Sequence, residues 1–196
     1  VVTPLSTADN PALIYDSYAE KLLVYLKDLN FDKEGRPVIL FLTSRGYESG
    51  PKNDPRAWKT ARWTGKEWEF RAFTTSLNNY DHGSLHIEED GTWRIIAPTE
   101  PGPQRYNPGG EVAMWASGDQ GANWKKVKQL TRDSLRNHTY VRRPLNAHPD
   151  FYAFWADGNA RQASESCIYF TNLNGDHVWR LPATMTNDFA KPEVAW

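Results

Sequence analysis

Hydrophobic and polar positions alternate along this chain in short runs. Apolar runs of about four to eight residues are separated by turn-forming residues, and none approaches the ~18 residues of a membrane span. In the middle of the chain this pattern predicts strands at 82–88, 92–98, 111–117 and 123–129. Asp90-Gly91 joins the first pair as a type I′ hairpin, in which both central residues need positive φ. The pattern therefore predicts short antiparallel strands and tight turns.

The pattern repeats along the sequence. An aromatic-flanked turn closes at Trp68, Trp124 and Trp179, which lie 56 and 55 residues apart. Four antiparallel strands per period of this length are typical of a propeller blade. The sequence therefore predicts an all-β protein, a β-propeller of four-stranded antiparallel blades. We expect about three blades in this chain, at 22–73, 82–129 and 138–181, plus the start of a further strand.

The two ends of the chain carry separate expectations. Residues 1–21 are predicted to be a connector, in which Asp9-Asn10-Pro11 caps a short helix through Glu20. Stable propellers typically need four to eight blades, so three blades would be completed either by self-association or by a missing remainder of the propeller. The start without Met or a signal peptide favours a processed product or a piece of a longer protein.

The turn from Ser117 to Trp124 fits the pattern Ser/Thr-x-Asp-x-Gly-x-x-Trp at every fixed position. We expect Ser117 and Asp119 to accept hydrogen bonds from backbone amides across the turn. We expect Gly121 to supply a positive φ and Trp124 to pack beneath the hairpin. These four residues, an Asp-box, are therefore predicted to stabilise their blade and to take no part in chemistry.

Composition narrows the range of partners. The formal net charge is −1, so no overall field recruits nucleic acid or an anionic membrane. Aromatic residues make up 13% of the chain. Most must lie in the core, but Tyr47, Tyr106 and Trp155 lie in segments expected to be exposed loops and could stack on sugar rings.

Superposing the repeats suggests a catalytic site. His82 and Tyr140 each lie three residues after a matched asparagine, Asn79 or Asn137, so we expect both to face one central funnel from neighbouring inner strands. Strand alternation places Arg142 on the same face as Tyr140. A histidine can accept a proton, a tyrosine can donate one and an arginine can neutralise a carboxylate. His82, Tyr140 and Arg142 are therefore predicted to be catalytic, in elimination across the C4–C5 bond of a uronic acid.

Three neighbouring residues are predicted to bind substrate: Asn79, His138 and Arg143. Structural roles stay open for the whole set, because His82 could hold a loop and Tyr140 could be a core aromatic with a satisfied hydroxyl. His82 and His86 would lie ~13 Å apart on a strand, which argues against a shared metal ion. We predict no cofactor and no metal ligands, and leave a structural or channel-bound divalent cation as an open alternative.

Three segments together carry a family resemblance: the Asp-box at 117–124, DHGSL at 81–85 and NHTYVRRP at 137–144. They resemble the bacterial neuraminidase-repeat propeller superfamily, and within it the propeller-type polysaccharide lyases such as ulvan lyases. The resemblance implies a carbohydrate-active protein, secreted or periplasmic, whose partner is a polysaccharide or oligosaccharide. It also implies a His, Tyr and Arg around the channel, which correspond to His82, Tyr140 and Arg142.

Two alternatives remain. A sialidase-like hydrolase needs an arginine triad and a Tyr–Glu pair, but the sequence shows no convincing pair, and the segment 141–144 only loosely matches the Arg-Ile-Pro motif. A non-catalytic propeller that binds glycan or protein would use His82 and Tyr140 structurally.

Overall fold

The computed structural model describes residue 10 and residues 12–196. Thirteen strands form within this part of the chain, together with a single 3-10 turn at Pro51–Asn53. The strands are β1 Leu23–Phe31, β2 Pro37–Ser44, β3 Arg56–Trp63, β4 Trp68–Ser76, β5 Ser84–Ile87, β6 Trp93–Glu100, β7 Glu111–Ser117, β8 Lys125–Gln129, β9 Asn137–Arg142, β10 Ala153–Gly158, β11 Ile168–Thr171, β12 Val178–Arg180 and β13 Glu193–Val194. No helix long and apolar enough to cross a membrane occurs among the described residues.

The strands form three antiparallel sheets in chain order, which confirms the predicted fold class. The first sheet has the order β1-β2-β3-β4, the second β5-β6-β7-β8 and the third β9-β10-β11-β12-β13. The last strand, β13, joins the third sheet as its fifth strand. It pairs with β12 through Trp179 opposite Val194 and Arg180 opposite Glu193, and the second pair also forms an ion pair.

The segment before β1 forms turns where a short helix was expected, although the start of that helix lies partly outside the described residues. The Asn10 side chain does accept a hydrogen bond from the Ala12 amide, at 2.9 Å. The Tyr15 ring then packs against Phe41 and Phe70, with centroid distances of 5.4 and 5.3 Å. Aromatic packing on the first sheet therefore anchors this segment in place of helical hydrogen bonding.

Two hydrophobic clusters join the three sheets, and the second sheet contributes to both. Along β6, Trp93, Ile95 and Ala97 belong to the cluster shared with the first sheet, whereas Ile96 belongs to the cluster shared with the third. This division follows directly from the two-residue period of a strand. The sheets therefore stack face to face through alternating side chains, as blades do in a propeller.

The Asp-box turn supports the contact between the first two sheets. The Ser117 hydroxyl accepts a hydrogen bond from the Gly121 amide and the Asp119 carboxylate accepts one from the Asn123 amide, both at 2.9 Å. Gly121 has φ +84°, and a Cβ there would lie 2.9 Å from the Trp93 ring. The turn thereby holds the Trp124 ring 5.4 Å from Phe73 of β4.

Two buried asparagines connect the second and third sheets to the sheets that precede them in the chain. The Asn79 amide donates to the carbonyl of Gly46 at 2.9 Å, in the β2–β3 loop. The Asn137 amide donates to the carbonyls of Gln104, Pro108 and Gly109 at 3.1 to 3.3 Å, in the equivalent β6–β7 loop. The side-chain oxygen of Asn137 also accepts the Gln104 amide proton at 3.0 Å. Each asparagine therefore fixes the start of one inner strand to a loop of the preceding sheet.

We expect Asn137→Ala to lower the free energy of unfolding by about 2–4 kcal/mol, because it leaves several buried loop groups without partners. Urea denaturation measures the change through the midpoint. Asn187→Ala, at an exposed position after β12, is the matched control and should change stability by less than about 0.5 kcal/mol. Equal effects of the two substitutions would contradict the structural role of Asn137.

Candidate functional site

The predicted catalytic side chains lie together where the second and third sheets meet. The rings of His82 and Tyr140 stack with centroids 4.6 Å apart and an interplanar angle of 21°. The Arg142 guanidinium lies 5.1 Å from the centre of the Tyr140 ring, within cation–π range. The backbones are also joined, since the Val141 amide donates to the His82 carbonyl at 3.2 Å.

A β-bulge positions Tyr140. Between the pairs Phe154–Arg142 and Ala156–Thr139, Trp155 faces two residues of β9, so one residue is inserted there. Tyr140 takes φ 59° and is 49% exposed, whereas Val141 is fully buried. A left-handed backbone costs a tyrosine of the order of 1–3 kcal/mol, and such conformations cluster at functional sites. Tyr140 and Arg142 therefore meet through a bulge and not through the simple alternation expected from the sequence.

A second bulge introduces Lys27, a residue that the sequence analysis missed. Between Leu26 and Asp28 the register of β1 shifts by one, which leaves Lys27 as the inserted residue. Its ammonium group is buried and donates to the Asn79 carbonyl at 2.5 Å. The Lys27 pKa is lowered to about 8, mainly by burial; the charge of Asp81 opposes this shift and that of Arg142 adds to it. A lysine in the middle of the apolar strand sequence LVYLKDLNF was the available signal.

Asp81, beside His82 in sequence, was also missed. Its carboxyl group is buried and accepts the amide protons of Asn78 at 3.0 Å and Gly109 at 2.7 Å. Burial raises the Asp81 pKa to about 7, although the hydrogen bonds and Lys27 act to lower it. The carboxyl group therefore orders the loop before β5 and adds a titratable group next to the site.

The environment keeps His82 neutral at pH 7. Burial, together with the positive charges of Lys27 and Arg142, lowers the His82 pKa to about 4. The Nδ1 atom of His82 is buried without a hydrogen-bond partner in the described part of the chain. A neutral imidazole next to two cations can accept a proton from a substrate that brings its own negative charge.

Two of the three residues expected to bind substrate are instead committed to the fold. Asn79 is buried, and besides Gly46 it bonds Arg56 and the Tyr25 hydroxyl. His138 is buried, with Trp155 donating to its Nδ1 and Ser134 bonded to its Nε2, both at 3.0 Å. Neither side chain has an atom left for a ligand, because every hydrogen-bonding group is already used.

The other residues predicted to contact a ligand divide into buried and accessible side chains. Arg143 borders a pocket further along the same strands, and makes no hydrogen bond or ion pair with the described residues. Trp155 is 1% exposed and belongs to the core, so it cannot stack on a sugar. Tyr47 is 74% exposed and Tyr106 is partly exposed, which leaves both available. Among the described residues, no three His, Cys, Asp or Glu side chains group as a metal site would require.

The structure contains a Tyr–Glu pair that the sequence did not reveal. The Tyr152 hydroxyl donates to Glu88, 64 residues away, and Arg94 lies 3.6 Å from the same carboxylate. Burial, followed by the hydrogen bond to Glu88, raises the Tyr152 pKa. The phenol is therefore held in its protonated form, which is unfavourable for the nucleophile that a sialidase-like hydrolase needs.

Comparison with known proteins places the chain among propeller-like all-β folds. No protein-family model and no curated protein matches the sequence. Two solved structures are similar: a PL25 ulvan lyase described as a new family of polysaccharide lyase, and a PL25 ulvan lyase bound to -[GlcA(1-4)Rha3S]-. Each is 19% identical, with a TM-score of 0.55 over 78% of this chain and 33% of that chain. The chain thus spans about a third of the ulvan lyase length, and the likeness shows the fold.

We expect the His82 pKa to be about 4 when the imidazole proton signals are titrated by NMR. Lys27→Met should raise this pKa by removing a nearby positive charge, while leaving the burial that causes most of the shift. Lys66→Met, on an exposed turn, is the control and should have no effect. A His82 pKa near 6.5, or one insensitive to Lys27→Met, would contradict the described electrostatics.

Proposed function

We propose that this chain forms part of a carbohydrate-active propeller that cleaves uronate-containing glycan by β-elimination. The observation that carries the proposal is the contact of Tyr140 with His82 on one side and Arg142 on the other. The sequence repeat had matched His82 with Tyr140, and strand alternation had added Arg142. The fold shared with ulvan lyases, one of them bound to a glucuronate-containing saccharide, supports the substrate class. Membership of the neuraminidase-repeat superfamily, and a secreted or periplasmic location, belong to the same proposal.

In the proposed reaction, Arg142 binds the uronate carboxylate and withdraws negative charge from it. This makes the C5 proton more acidic, and the neutral imidazole of His82 removes it. The C4=C5 double bond forms as the bond from C4 to the leaving O4 breaks. The Tyr140 hydroxyl supplies the proton that O4 takes up. No water and no covalent intermediate is needed.

The buried Lys27 strengthens this arrangement. Together with Arg142 it provides positive charge at one side of His82, and a bound carboxylate would offset both charges. Binding of the anionic substrate should therefore raise the basicity of His82 at the moment when a base is required. The same charges disfavour a neutral sugar, which brings nothing to compensate them.

The test is incubation with uronate polysaccharides, followed through the ultraviolet absorbance of the conjugated double bond in the product. We expect His82→Ala and Tyr140→Phe each to lower kcat/KM by at least about 100-fold, because each removes one proton-transfer group. Arg142→Ala should raise KM as well as lower kcat, since it removes a contact to the substrate carboxylate. His148→Ala and Tyr18→Phe, at exposed positions, are the matched controls and should leave activity unchanged.

The pH dependence gives a further check on the proposed base. Activity should require neutral His82, so kcat/KM should fall as the pH decreases through about 4 and not through the ordinary histidine value of 6.5. Glycan binding without any unsaturated product across the uronate substrates would favour the non-catalytic propeller. Product formation unaffected by His82→Ala would exclude the assigned base.

A further inference from the structure

A pocket lies away from the contact between His82 and Tyr140, at the far ends of β5 and β9. Its volume is about 450 Å³, and its lining includes His86, Arg143, Leu145, Ala147 and Tyr152. His86 is four residues beyond His82, which corresponds to about 13 Å along an extended strand. The pocket is therefore separate from the contact between His82 and Tyr140.

The Arg143 side chain lacks a hydrogen-bond partner in this pocket. The Nε atom of Arg143 is buried without a hydrogen-bond partner, and the guanidinium forms no ion pair within the described residues. A guanidinium carries five N–H donors and stays charged at all relevant pH values. A buried donor without a partner is costly, so a bound anion would satisfy Arg143 better than the free pocket does.

The polar side chains buried or half-buried in the pocket, apart from Arg143, are already paired. His86 stacks on Tyr152 with centroids 4.1 Å apart, and its Nε2 bonds the Ser84 hydroxyl at 3.0 Å. The Glu88 carboxylate accepts a hydrogen bond from the Tyr152 hydroxyl and forms an ion pair with Arg94. Burial lowers the His86 pKa to about 3, so this ring adds no charge, and Arg143 is the unpaired cation of the pocket.

The remaining lining limits the kind of anion. Glu89 is exposed at the margin of the pocket and contributes a negative charge, which disfavours ligands that carry several charges. Leu145 and Ala147 provide apolar surface next to the guanidinium, and Leu145 is 90% exposed. This combination suits a singly charged carboxylate attached to a ring with apolar faces.

We propose that this pocket is a second binding site, which holds the carboxylate of an acidic sugar residue on Arg143 and its ring against Leu145 and Ala147. The choice of a sugar rests on the proposed function, whereas the choice of a carboxylate rests on the pocket alone. A glycan that spans both sites would be held at two acidic residues, so the second site would contribute to binding and not to bond cleavage.

The test is titration of the full chain with glucuronate, followed by amide NMR chemical shifts. We expect the amides of Leu145, Asn146 and Ala147 to shift with glucuronate and not with glucose. Arg143→Ala should weaken this binding at least tenfold, and Arg143→Lys should restore it only in part because lysine lacks the planar fork. Glucuronate bound at the proposed active site should also shift the amides of Tyr80 and His82. Arg142→Ala is the matched control: it should remove these two shifts and leave those of residues 145–147 in place.

The outcomes separate the two proposals. Shifts at residues 145–147 that persist in Arg143→Ala, or none in the unmodified chain, would overturn the second site. Equal binding of sulfate would overturn the sugar assignment, since the ring would then add nothing. Absence of shifts at Tyr80 and His82, together with no unsaturated product, would instead count against the proposed function and leave the second site standing.

Discussion

The buried amides of Asn79 and Asn137 connect the architecture to the chemistry. Asn137 begins β9 and Asn79 lies in the loop before β5, and each bonds the loop between the second and third strands of the preceding sheet. His82 and Tyr140 each follow three residues later, so the two asparagines set where both rings begin to approach each other. Without these bonds the sheets would still stack through their hydrophobic clusters, but the loops that bear the site would no longer be held in position by hydrogen bonds.

The site combines burial with an excess of positive charge. Lys27 and Arg142 lie beside His82, and the carboxyl group of Asp81, which acts on Lys27, has its pKa raised to about 7, mainly by burial. Such an arrangement stabilises the folded chain less than an apolar one of equal volume would. Its cost is consistent with a ligand that carries a negative charge.

Much of the fold could be predicted from the sequence because a propeller repeats one unit. The spacing of Trp68, Trp124 and Trp179 indicates the period. Superposing the periods predicts that His82 and Tyr140 lie together. That inference used only the register of one repeat on the next. The strand pattern of the middle unit was readable for the same reason, since Asp90-Gly91 and the Asp-box mark its turns.

The rest depended on features that alternation cannot show. Lys27 and Tyr140 both reach the site through β-bulges, and each bulge shifts the face on which the following residues lie. His138 was predicted to bind substrate because it lies in the same segment as Tyr140, yet Trp155 and Ser134 use both of its ring nitrogens. The pairing of Tyr152 with Glu88 joins residues 64 positions apart, which no local pattern reveals.

The central claim is that His82, Tyr140 and Arg142 together form one site for an acidic sugar. A crystal structure of the chain with a bound glucuronate oligosaccharide tests it most directly. The account predicts a carboxylate within hydrogen-bonding distance of Arg142, with C5 of that sugar facing the His82 imidazole and O4 facing the Tyr140 hydroxyl. A saccharide bound away from these three residues, or bound with its carboxylate turned to solvent, would contradict it.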